Sequence, residues 1–156
     1  MSDEQQETPQ EIIEELLERL ADAMGLDGEI DVVDDGETLT GTIHGDDVAL
    51  VIGHHGQTID AIQHLASRMI HGEGHRPARR VIIDAGGYRE RRREALIGMA
   101  DDAADEALQE DRAVALDPMS AGERRIVHEH LRDRDGIETY SEGEEPQRHL
   151  VVEPSS

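Results

Sequence analysis

Apolar residues recur along this chain in two rhythms. Ile12, Ile13, Leu16, Leu17, Leu20 and Met24 stand at three- and four-residue spacing, which puts them on one face of an amphipathic helix. Thr8-Pro9-Gln10-Glu11 supplies its start, with Thr as N-cap, Pro at the first helical position and Glu placed to close a capping box. Gly25 supplies its stop. The period then shortens to two: Ile30-Asp31-Val32-Val33, the turn signal Asp35-Gly36, and Thr38-Leu39-Thr40-Gly41-Thr42-Ile43 together predict a β-hairpin. A short apolar segment from Asp47 to Ile52 leads into Gly53-His54-His55-Gly56. Helical spacing returns in Ile59, Ile62, Leu65, Ala66, Met69 and Ile70, so the glycines fall between two helical pieces.

Downstream, His71 to Pro77 reads as a Gly-rich loop and Val81-Ile82-Ile83 as a buried strand. From Arg89 to Gln109 the composition is helical, but Leu96, Met99, Ala103 and Ala107 form only a thin apolar stripe under many charges, which predicts a solvated connector helix. Ala113 to Leu116 is a short strand candidate ended by Asp117-Pro118. Ser120-Ala121-Gly122-Glu123 is a second capping box, opening a helix with Ile126, Val127, His130 and Leu131 on its apolar side. Ile137 to Tyr140 and His149 to Val152 can pair as strands. The expected organisation is a disordered tail over 1–8, a first module over 9–86, a connector over 87–111, a second module over 112–153 and a tail over 154–156. The module boundary lies at about 109 to 113.

Composition narrows this picture. With no Phe, no Trp and only Tyr88 and Tyr140, any core is aliphatic and any nucleic-acid site works almost without aromatic stacking. The absence of Cys excludes disulfides and thiolate zinc sites. An acidic beginning and the lack of a long apolar run lead to the expectation of a soluble, cytoplasmic protein. The formal charge is -22, and all 15 basic side chains are Arg, a balance compatible with a GC-rich coding sequence or with adaptation to high salt. Such a charge counts against wholesale nucleic-acid binding, so any anion site must be local.

Two local patterns qualify. Gly53-His54-His55-Gly56 followed by Gln57-Thr58 has glycines that permit a tight turn and close approach, and a helix start that presents free N–H groups and a positive dipole end, a geometry suited to a phosphodiester. Alone it also fits a plain helix-helix turn. The order helix, strand, strand, short helix, Gly-x-x-Gly, helix, strand over residues 9 to 84 resembles a type II KH domain, whose Gly-x-x-Gly loop clamps about four single-stranded nucleotides. VIGHHGQTIDAIQHL with RRVIIDAGGYRERRR further resembles the Jag family, also called the SpoIIIJ-associated or KhpB family, of bacterial RNA-binding proteins.

The second pattern is ERRIVHEHL, in which Arg124 and His128 lie one helical turn apart and Arg132 extends the row. The wheel puts this row away from Ile126, Val127, His130 and Leu131. With Asp117-Pro118-Met119-Ser120 before it and Thr139 to Pro146 after it, the segment is similar to an R-three-H domain, which follows the KH domain in Jag proteins. The resemblance implies an α+β chain of two small modules: a KH domain with helices on one face of a three-stranded sheet, and an R-three-H domain with a small sheet and helices. It also implies nucleic-acid contacts at Gly53, His54, His55, Gly56, Gln57, Thr58, Arg79 and Arg80, and at Arg124, Arg125 and His128. The implied role is post-transcriptional regulation linked to cell elongation, division and envelope homeostasis. The implied partners are single-stranded RNA or single-stranded DNA, and a small KH-domain protein or a second copy of the chain; no membrane partner and no cofactor are expected.

The sequence departs from the family in two ways. Family loops carry Lys or Arg where this chain has His54 and His55, and a neutral imidazole gives no fixed charge, so weaker and more pH-dependent phosphate binding is expected. No counterpart of the family's N-terminal Jag-N domain and linker is recognisable, so roles resting on it are not expected to carry over. Arg76, Arg79, Arg80, Arg89, Arg91, Arg92 and Arg93 gather seven of the 15 arginines. They can form a positive rim beside the groove, pair with neighbouring acids, or meet a second KH subunit. Nine histidines show no paired metal-ligand spacing, and no nucleophile-and-base or phosphate-loop pattern appears, so neither a metal site nor catalysis is expected. The competing class is a KH-fold protein-interaction scaffold with little RNA binding of its own.

Overall fold

The structure, a computed structural model, describes residues 7–72 and 79–156. It divides into two compact units, Met1–Arg89 and Glu90–Ser156.

In the first unit α1 (Pro9–Ala23) begins where the capping box places it. Thr8 Oγ1 accepts the Glu11 N–H at 3.3 Å, and the Glu11 carboxylate accepts the Thr8 N–H at 2.8 Å. β1 (Gly28–Asp34) and β2 (Thr38–Gly45) pair antiparallel, with Ile30 opposite Ile43 and Val32 opposite Gly41. Their turn is held by Asp35, whose carboxylate accepts the N–H groups of Glu37 at 2.9 Å and Thr38 at 2.7 Å. α2 (Ala49–Ile52), one 3₁₀ turn (His54–Gly56) and α3 (Gln57–Gly72) make the crossover to β3 (Arg80–Ala85), which lies parallel to β2.

The sheet order is β1-β2-β3. Leu39, Gly41 and Ile43 of β2 and Val81, Ile83 and Ala85 of β3 are buried, while Thr38, Thr40 and Thr42 alternate with them, so one face carries the helices. Ile13 and Leu17 of α1, Val51 of α2, and Ile59, Ile62, Ala66 and Ile70 of α3 complete an aliphatic core. A Cβ added at Gly41 would lie 2.7 Å from Leu17 Cδ1 and 2.9 Å from Ile13 Cγ2, so α1 rests directly on this stretch of β2 backbone. Two local expectations change. Leu65, named with the residues at helical apolar spacing, is 48% exposed and not part of the core. His71 and Gly72 are the last turn of α3 instead of loop, and the rest of the expected loop lies outside the described residues.

The second unit revises the boundary. α4 (Tyr88–Glu110) was expected to be a solvated connector ending near a boundary at 109 to 113, yet the units meet at Arg89 and Glu90. From Leu96 onward α4 is a core element: Leu96, Ala100, Ala103, Ala104 and Ala107 are buried with Met119, Val127, Leu131, Ile137, Leu150 and Val152. Alanines bury little area each but permit close approach, which is how a helix with so faint an apolar stripe can hold a core.

β4 is only Val114–Ala115, shorter than expected; α5 runs over Ala121–Leu131, and β5 (Ile137–Glu142) and β6 (His149–Pro154) follow. The order β4-β6-β5 makes a small antiparallel sheet with Tyr140 opposite Val151, the strand pairing expected from the pattern. Ser120 and Glu123 cap α5 reciprocally. Among the described residues no helix is long and apolar enough to cross a membrane.

Candidate nucleic-acid interface

The first candidate site is built by α2, the 3₁₀ turn and the start of α3. Val51 buries α2 in the core, and the Gly53 N–H bonds Ala49 O at 3.0 Å, closing that helix. Gly53 then takes φ 70°, ψ -170°, a region open almost solely to glycine. A Cβ there would lie 2.1 Å from Thr58 Oγ1, so the Thr58 hydroxyl packs on bare loop backbone. Gly56 takes φ 78°, and a Cβ there would lie 2.8 Å from Cε1 and 3.0 Å from the hydroxyl of Tyr88. Both glycines are therefore required twice over, by conformation and by space.

Between them His54 and His55 are exposed, with rings stacked at 4.0 Å between centroids and 25° between planes. His55 itself has φ 50°, an uncommon conformation for a side-chain-bearing residue. α3 starts at once with Gln57, so the positive end of a 16-residue helix stands behind the exposed imidazoles. The arrangement offers a short bare backbone, two exposed ring donors and a helix start, which together suit a phosphodiester.

The arginines of the predicted rim divide by place and partner, with Arg79 and Arg80 at the start of β3, the end away from the loop, and Arg89 beyond its other end. Arg79 forms an ion pair with Asp34. Arg89 donates from Nε to Ile83 O at 2.6 Å and from its terminal nitrogens to Asp60 and Gln63, each at 2.9 Å. Gln63 Oε1 also accepts the Ile83 N–H at 3.0 Å, so Arg89 braces α3 against β3. Arg80 is exposed and has no carboxylate within 4 Å among the described residues; Arg76 lies outside them. Of the predicted rim, Arg79 and Arg89 follow the acid-pairing alternative, and Arg80 keeps its charge open to solvent.

In the second unit, α5 does not present Arg124 as expected. The buried stripe of α5 is Arg124, Val127 and Leu131, whereas His130, assigned to the apolar side, is exposed with Nε2 2.9 Å from Asp101. Arg124 can share the stripe because its stem is aliphatic and its head finds oxygen at the core's edge: Met119 O at 2.6 Å, Arg148 O at 3.4 Å and the Glu145 carboxylate at 2.6 Å. His128 is exposed, with Nδ1 2.5 Å from Thr139 Oγ1.

Arg125 is exposed and bonds Glu129 at 2.8 Å. That bond, followed by the charges of Arg125, Arg132 and Arg93, holds the Glu129 carboxyl below its ordinary range. Arg93, grouped by sequence with the rim of the first module, thus belongs to the field around α5, while Arg92 pairs with Glu123 at 2.7 Å. Tyr88 under Gly56 and Arg93 near α5 are the residues sequence reasoning missed. The signal for Arg93 was its helical register within α4, and for Tyr88 there was none, since its contact with Gly56 spans 32 residues of sequence.

Comparison with known proteins covers both units. Residues 10–83 match the KhpA/KhpB KH domain family, and residues 94–154 match the R-three-H domain family. RNA-binding protein KhpB of Clostridium symbiosum is 36% identical over 148 residues, covering 94% of this chain and 66% of that protein. Its namesake in Bacillus subtilis (strain 168) is 33% identical over 138 residues, covering 87% of this chain and 66% of that protein. That of Lactiplantibacillus plantarum is 40% identical over 105 residues, 66% of this chain and 32% of the relative. The chain therefore spans about two thirds of the length of the first two relatives.

Proposed function

This chain belongs to the KhpB family of paired KH and R-three-H domains, and from that premise we propose that it is a single-stranded RNA-binding protein without catalytic activity of its own. The observation that carries the reading is the Gly53 to Gly56 turn: bare backbone under Thr58 and Tyr88, two exposed imidazoles, and the start of α3. The strand's phosphates meet this loop; Arg80, at the start of β3, stands at the opposite end of β3 from Tyr88 and Gly56 and adds no charge at the turn. In the second unit the exposed cations around α5, Arg125 and Arg132 with His128, meet the same or a second strand. Each site is weak alone, and two on one chain gain by effective concentration. The finer reading is a cytoplasmic post-transcriptional regulator acting on cell elongation, division and envelope homeostasis, with a small KH-domain protein or a second copy as partner. The curated relatives are named for RNA binding, which supports the coarser part.

The test is filter binding and ultraviolet crosslinking of the full chain to a labelled single-stranded RNA. His54→Asp/His55→Asp weakens binding by about tenfold or more, as expected when two donors become two anions facing phosphate. Unchanged binding and crosslinking would dismiss clamping by this loop, and a pulldown that still returned a protein partner would favour the scaffold. Competition by DNA of the same sequence measures the preference for RNA, which rests on the 2′-hydroxyl.

A further inference from the structure

We propose that RNA binding at the Gly53 to Gly56 turn is coupled to the uptake of one proton, carried jointly by His54 and His55, so that the grip tightens as pH falls; this rests on the RNA-binding reading of that turn. The first support is the placing of fixed charge. Among the described arginines of the first unit, Arg79 and Arg80 stand at the end of β3 away from the turn, and Arg19 pairs with Glu15 of α1. Arg68 follows Gln57, the first residue of α3, by 11 residues, about 16 Å along the helix. Arg89 is committed to Ile83 O, Asp60 and Gln63. A phosphate on the turn therefore meets backbone N–H groups and two imidazoles, and its countercharge arrives as a proton on a ring.

The second support is the geometry of the pair. The rings stack at 4.0 Å between centroids and 25° between planes. Gly53, His55 and Gly56 take φ of 70°, 50° and 78°, and the space above the two glycines is filled by Thr58 and Tyr88, so the turn holds the rings together. Two imidazolium charges at that separation repel, whereas a charged ring over a neutral one attracts, which makes the pair a carrier of one proton. A bound phosphate favours the charged form, and by linkage the charged form favours phosphate to the same extent. The proton comes from solvent and returns to it on release.

The other charged or titratable groups on the elements round the turn are His44 of β2, Asp46 and Asp47 ahead of α2, Asp60 and His64 on α3, Asp84 of β3, and Tyr88, Arg89 and Glu90 at the start of α4. Ordinary carboxyl, phenol and guanidinium groups hold one charge state between about pH 6 and 8. Among these neighbours only His44 and His64 share the range of an imidazole, and they serve as controls.

The experiment is filter binding of the full chain to internally radiolabelled oligouridylate without terminal phosphates, at constant ionic strength from about pH 6 to about pH 8. Calorimetric titrations near neutrality, in buffers of different ionisation enthalpy, count the protons taken up. The uptake lost in His54→Gln/His55→Gln is the share of the turn, and His128→Gln, run in parallel, gives that of the second unit. Expected is a Kd that rises with pH toward a limiting slope of about tenfold per unit, with a share for the turn that is positive and no greater than about one proton. His54→Gln and His55→Gln each keep that share, because the remaining ring can carry the proton. Both residues are exposed, so the amides leave the core intact. His44→Gln/His64→Gln keeps the slope as well. A double variant at His54 and His55 with undiminished uptake would overturn the proposal, as would a share approaching two protons, its loss in either single variant, or its loss in the control. Binding that is measurable but flat with pH removes this proposal and leaves the function reading standing; no binding at any pH removes both.

Discussion

Replacing Gly56 by Ala sets two costs against each other that a second substitution can separate. The first is conformational: φ is 78°, and a left-handed backbone costs a side-chain-bearing residue about 1–2 kcal/mol. The second is steric, because the new methyl carbon would lie 2.8 Å from Tyr88 Cε1 and 3.2 Å from Cζ, inside contact distance of a ring packed against the first core. Overpacking of this kind costs about 1–3 kcal/mol. Gly56→Ala should therefore destabilise the first unit by about 2–5 kcal/mol, but by only about 1–2 kcal/mol in a Tyr88→Ala background, where the steric cost is gone. The measurement is amide exchange in β3, at Ile83 and Ala85, which reads this unit by itself in the full chain. Equal costs in both backgrounds, within about 0.5 kcal/mol, would refute the contact between ring and loop.

Leu17→Ala, in the core and against Gly41, should cost about 2–5 kcal/mol in the same exchange measurement. Arg92→Gln should destabilise the second unit by about 1–3 kcal/mol, read as urea-dependent exchange in α5, because it strips the half-buried Glu123 cap of a charged partner. Glu11 and Asp35 are held below the ordinary carboxylate range, Glu11 by the Thr8 N–H and then its hydroxyl, Asp35 by the N–H groups of Thr38 and then Glu37. Their stabilisation is complete above that ordinary range and is lost as pH falls through the lowered values. Acidification should thus raise exchange in the first turn of α1 and in the β1–β2 turn, and Glu11→Gln should flatten the response at α1.

Local chemistry was legible in the sequence. Both capping boxes form where Thr8 with Glu11 and Ser120 with Glu123 place them, and Asp35-Gly36 turns the hairpin. The Gly-x-x-Gly turn stands between helical pieces as expected. What failed was reading burial from hydrophobicity alone. The core face of α4 is mostly Ala, whose periodicity is faint beside 23 residues rich in charge. Arg124 sits in a core stripe because its head is satisfied by main-chain oxygens that only the tertiary fold delivers, and His130 is drawn out to Asp101. The arginine run was ambiguous for the same reason: Asp34, Asp60 and Glu123, which claim Arg79, Arg89 and Arg92, are 45, 29 and 31 residues away in sequence.

The aliphatic make-up of both cores has an optical consequence. With no Trp or Phe, near-ultraviolet dichroism and intrinsic emission come from two phenols, one in each unit: Tyr88 against Gly56, and Tyr140 exposed on β5. Tyr140→Leu would leave a single chromophore, seated on the very turn proposed to hold RNA. The chain then carries its own label, and a spectrum taken during titration follows the loop without any dye.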